Sequence, residues 1–148
     1  MPIRILFSLV ISLALFASAQ PKGLEFEAVL TLEGIGNLDG GVDEDEALLG
    51  NLDLTAELNT EEAGWWENGT LFAYVLGNFD VGRLPTEFVG DAQATSNFET
   101  FETVKLYEFW YEHQLSDELS LLAGLHDYNG EFDVLEYAGL FAHSSAGI

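Results

Sequence analysis

Side chains from Leu24 to Glu33 alternate in character at every step. Leu24, Phe26, Ala28, Leu30 and Leu32 fall on one side, and Glu25, Glu27, Val29, Thr31 and Glu33 on the other. Successive side chains of a strand point to opposite faces, so a period of two predicts a strand with one apolar and one polar face. An amphipathic helix is excluded, because it places Glu25 and Glu33 among the leucines. The glycines at 34 and 36 and Asn37 predict its end. Asp39 to Glu46 reads as an acidic loop; it lacks the D-x-[DN]-x-[DN]-G spacing of a calcium loop.

The same pattern recurs downstream. Leu52, Leu54, Ala56 and Leu58 oppose Asn51, Asp53, Thr55, Glu57 and Asn59, which predicts a strand over Asn51 to Asn59. Asn68-Gly69 is a favoured turn dipeptide, and the turn reading outweighs an Asn68-Gly69-Thr70 glycan acceptor. Strands are expected over Thr70 to Gly77, Phe101 to His113 and Leu119 to His126. Asn78 to Thr100 reads as a long loop, the kind of connection that often carries function. A short helix or 3₁₀ turn is expected around Val134 to Phe141.

The N-terminus has a separate character. Arg4 precedes an apolar run from Ile5 to Phe16, and Ala17-Ser18-Ala19 offers small residues where a signal peptidase reads. These features predict an export signal over residues 1–19, cleaved between Ala19 and Gln20. The apolar run is shorter than the roughly 20 residues of a transmembrane helix. Export followed by alternating strands points to a bacterial outer membrane. A soluble secreted β-domain is the alternative.

Charge narrows the partners. Acidic residues number 26 against 4 basic ones, a net charge of -22. That balance repels phosphate backbones and anionic membrane surfaces, so nucleic acid is excluded as an expected partner. The many aromatic and branched aliphatic residues argue against disorder despite the charge. The chain has no cysteine, so neither disulfides nor thiolate catalysis are available.

Membrane-spanning strands must close into a barrel, because unpaired backbone groups are not tolerated in hydrocarbon. The strand lengths suit such spans, and Trp65-Trp66 and Trp110-Tyr111 suit interfacial girdles. Five strands are too few to close one. The fold expected is therefore all-β, with antiparallel strands from the N-terminal part of a transmembrane β-barrel, incomplete and open in this chain. The end at Gly147-Ile148 is read as an incomplete frame or a natural truncation.

Several segments resemble the carbohydrate-selective, OprB-type outer-membrane porins. They are Gly34-Ile35-Gly36-Asn37 through Gly40-Gly41, Leu52-Asp53-Leu54, Gly64 to Thr70 and Ser96 to Glu99. The strongest is Lys105-Leu106-Tyr107-Glu108-Phe109-Trp110-Tyr111-Glu112-His113, similar to a family pattern R-L-Y-E-x-W-Y-E-Q. Leu119 to Leu121, Gly124-Leu125, Glu131-Phe132 and Phe141 to Gly147 extend the resemblance. Lys105 and His113 depart from the pattern, and the later strands and a C-terminal aromatic residue are lacking. The resemblance implies barrels of about sixteen strands that pass sugars by selective passive diffusion. It also implies small sugars and outer-membrane lipid as partners, an outer-membrane location and a homo-oligomer of the complete barrel.

Sugar passage needs hydrogen-bonding groups around a water-filled constriction, without covalent chemistry or a cofactor. Channel-lining candidates are Glu25, Glu27 and Glu33 on the first mature strand, and Glu102, Glu108 and Glu112 on the fourth. Arg83 in the long loop is a candidate constriction cation. Uninterrupted alternation puts Glu102, Glu108 and Glu112 on one face with Val104, Leu106 and Trp110. It puts Lys105 on the other with Tyr107, Phe109 and Tyr111. No enzyme is expected. Glu108 and Glu112 lie roughly 13 Å apart on a strand, beyond the spacing of a glycosidase pair. His113, His126 and His143 lack metal-ligand spacing. A secreted carbohydrate-binding β-domain is the alternative function.

Overall fold

The computed structural model describes residues 6–16 and 21–132. Among the described residues, six strands form one antiparallel sheet in chain order. They are β1 (Leu6–Phe16), β2 (Leu24–Asn37), β3 (Asp45–Asn59), β4 (Gly69–Gly82), β5 (Thr103–Ser116) and β6 (Leu119–Leu125). Two short helices, α1 (Pro85–Val89) and α2 (Asn129–Phe132), sit in connections. The expected turn at Val134 to Phe141 lies outside the described residues.

The fold is an open six-stranded sheet, which corrects the expectation of a transmembrane-barrel segment. β1 and β6 are its edges, and they do not pair with each other among the described residues. Each connection joins neighbours, so the sheet is a simple meander.

The apolar run assigned to the export signal forms β1. Leu13 pairs with Leu30 and Ile11 with Leu32. β2 also outruns its expected end: Gly34 faces Leu48 and Gly36 faces Glu46. Glycine is a poor strand former alone, yet a neighbouring strand on each side satisfies its backbone and overrides that preference. For the same reason β4 continues past Gly77, where Asn78 lies between Asn51 and Thr103.

The register separates the two faces by polarity. Thr31, Glu33 and Asn37 of β2 share a face with Asn51 and Asp53 of β3 and with Tyr74 and Asn78 of β4. Phe26, Leu48, Phe79, Val81 and Leu125 lie on the opposite face and are exposed. The Leu24-to-Leu32 row thus remains partly open to solvent.

The connection from Arg83 to Glu102 folds over the polar face. Its α1 carries Phe88 onto Ile35, Ala47 and Leu49, with Val89 and Phe98 alongside. Phe88 and Leu49 are fully buried. This small apolar cluster under a loop is the buried core of the described residues. Asn37 ties it down, its amide donating to the carbonyl oxygens of Asp43 at 2.6 Å and Gly40 at 2.8 Å.

Candidate functional site

β5 contains the decisive irregularity. Tyr74 pairs with Glu108 while Val75 pairs with Leu106, so Tyr107 is an extra residue in the strand. A bulge of this kind changes the phase of alternation. Glu108 and Trp110 therefore share the polar face with Tyr74 and Phe72, whereas Leu106 follows Val75 onto the apolar face. Alternation carried straight through Tyr107 groups Leu106 with the glutamates, and the extra residue is the reason it does not hold. The bulge also brings Tyr107 beside Tyr74, edge to face at 5.1 Å, with Lys105 Nζ 5.2 Å from the Tyr107 ring centre.

Aromatic rings and carboxylates collect on the polar face of β3 to β6. Phe72 and Trp110 stack across the β4–β5 pair, 4.9 Å between centroids and 23° between planes. The Trp110 indole donates to Glu108 at 3.0 Å. His126 Nδ1 lies 3.0 Å from the same carboxylate, and the Asp127 backbone N–H donates to it at 3.3 Å. The Tyr107 hydroxyl donates to Asp127 at 2.6 Å. Tyr74 donates to Asp53 at 2.5 Å, while Asn51 donates to Asp53 and Asn78 to Asn51. The rings of His126 and Tyr128 close the ledge at its β6 end.

The hydrogen bonds shift the titrating groups. Burial, then the bond to Asp53, pushes the Tyr74 phenol above its ordinary range. The bond to Asp127, then burial, pushes Tyr107 up to about 12. The same bond holds Asp127 below the usual carboxylate value. Both phenols are therefore neutral donors at ordinary pH, and their carboxylate partners are acceptors.

The residues singled out in the sequence do not form one site. Glu25, Glu27 and Glu33 lie on the polar face of β2, near the β1 edge. Glu33 is fully buried beneath the loop and accepts a hydrogen bond from Ser96. Glu102 precedes β5 and is exposed. Glu108 is mostly buried and Glu112 partly buried on β5, and of these seven residues only Glu108 belongs to the aromatic ledge. Arg83 clamps the loop instead of pointing into an opening. Its guanidinium lies 3.0 Å from Asp43, 3.1 Å from Asp45 and 3.5 Å from Glu87. Phe72, Tyr74, Asp53 and Asp127 were missed. Their grouping depends on cross-strand register and on the bulge, neither of which alternation reveals.

The chain matches no protein-family model, no curated protein and no solved structure. The OprB-type resemblance therefore has no support, and the sheet does not close into a barrel among the described residues. The porin function, the outer-membrane location and the lipid and diffusing-sugar partners implied by that resemblance are withdrawn with it. No helix among the described residues is long and apolar enough to cross a membrane.

Proposed function

We propose that this chain is a secreted carbohydrate-binding β-domain that acts without catalysis. The observation that carries this reading is the Phe72–Trp110 stack flanked by Glu108 and His126. An aromatic ring accepts the apolar C–H face of a pyranose, while fixed polar groups at its rim exchange hydrogen bonds with hydroxyls. The open sheet leaves this ledge accessible from one side, and Trp110 stays partly exposed. Binding of this kind requires no nucleophile. Export over residues 1–19 belongs to the same proposal, and cleavage after Ala19 removes β1 and leaves β2 as the edge.

The test is a tryptophan-fluorescence titration with a panel of soluble neutral and acidic oligosaccharides, paralleled by calorimetry. At least one sugar is expected to produce a saturable signal that Trp110→Ala abolishes while the circular dichroism spectrum is kept. A panel without any saturable response overturns the reading, as does a response that Trp110→Ala leaves intact.

A further inference from the structure

The apolar face of the sheet is the largest feature that the ledge does not use. Phe26, Leu48, Phe79, Val104, Phe109 and Leu121 are between 38 and 79 % exposed on it. Acidic side chains crowd the other face and the loops. On the apolar face, Glu46 at the end of β3 is the one acidic position contributed by β2 to β6. The charge of a chain at -22 is thus kept away from this surface.

We infer that a second copy of this chain covers the apolar face, giving a two-fold sandwich with both polar ledges outward. Area favours it. The exposed apolar side chains of β2 to β6 present on the order of 1,000 Å² per copy, comparable to the roughly 800 Å² per partner of a stable interface and beyond the largest patch of a typical monomer. Charge favours it too, since two copies meet without opposing their carboxylates.

A two-fold axis between the two faces makes the contact isologous, each copy presenting the same apolar surface. Aligned sheet packing at about 10 Å fits two faces of this kind. The inference goes beyond sugar binding and stands without it.

Sedimentation of the purified chain in detergent-free buffer tests the pairing. Twice the single-chain mass is expected. Leu106→Asp places a charge in each apolar face and is expected to give the single-chain mass with an unchanged circular dichroism spectrum. Val29→Asp, on the polar face, is expected to leave the pair intact. Should Leu106→Asp fail to fold, a nitroxide on Val75→Cys reads the interface directly, because the chain has no other cysteine. Paired copies are expected to show a defined spin–spin distance that disappears on dilution. A single-chain mass in buffer overturns the inference. So does an assembly in which the Val75 label shows no dipolar coupling, or one in which the label is quenched by acyl-chain probes in vesicles.

Discussion

His126 Nδ1 lies 3.0 Å from Glu108 Oε2, and both side chains are about 85 % buried on the polar face of the sheet. The carboxylate serves three donors or partners at once, because Trp110 and the Asp127 backbone also reach it. It is the common acceptor that holds β5, β6 and the following turn together. Replacement of Glu108 by Ala leaves an indole N–H and a backbone N–H without their acceptor. Loss of an acceptor from partly buried donors costs about 1–3 kcal/mol. Glu108→Ala is expected to lower the urea midpoint accordingly and to abolish the sugar response. Glu108→Gln, which keeps an acceptor oxygen, is expected to recover most of the stability.

Tyr107 supplies a pH signature. Its phenol ionises at about 12 in the folded chain, raised first by its bond to Asp127 and then by burial. An unfolded tyrosine ionises near pH 10. The folded state holds the proton more tightly, so this contribution is complete below pH 10 and is lost as pH rises towards 12. Asp127 runs the other way: its lowered value gives a contribution present above the unfolded carboxylate range and lost on acidification. Ultraviolet titration of phenolate absorbance is expected to show a late-ionising tyrosine that moves towards pH 10 in Asp127→Ala.

Gly124 makes room for the tryptophan of the ledge. It pairs with Trp110 and adopts φ +144°, a conformation disfavoured for residues with a Cβ. A Cβ there would stand 2.3 Å from the Phe109 carbonyl oxygen and 2.6 Å from the Trp110 Cα. These neighbours are backbone and cannot swing away. Gly124→Ala is expected to cost about 1–3 kcal/mol through backbone strain, and more if β6 detaches. Hydrogen exchange is the measurement: amides of Leu119 to Leu125 are expected to lose protection before those of β2 and β3.

Phe88 anchors the long loop. It is fully buried against Ile35, Ala47 and Leu49, and its carbonyl accepts from the backbone N–H groups of Val42 and Asp43. Truncation of a buried phenylalanine costs about 3–5 kcal/mol where the cavity cannot collapse. In Phe88→Ala the loss is expected to fall on the loop, giving early proteolytic cleavage between residues 84 and 102 while the sheet resists. Uniform resistance of the loop would show that Arg83 and its three carboxylates hold it without the ring.

Local chemistry determined the strands themselves. Alternation placed the centres of β2 and β3, and the Asn68-Gly69 turn is present, with Asn68 at φ 63°. The apolar run near the N-terminus showed its hydrophobicity, but its placement beside β2 is a matter of long-range pairing. Strand ends at Gly34–Asn37 and Asn78–Gly82 were not legible, because glycine and asparagine read as breakers until neighbouring strands occupy their backbone groups. Only the tertiary structure decided the facing of β5, since one extra residue at Tyr107 reverses the phase that alternation carries forward. It alone decided the ledge, which draws Asp53, Phe72, Tyr74 and Trp110 from three strands and His126 from the chain just beyond β6. Period two is a property of one strand and is written in its residues. Register, bulges and closure are properties of pairs and sheets, set by contacts between residues far apart in the chain.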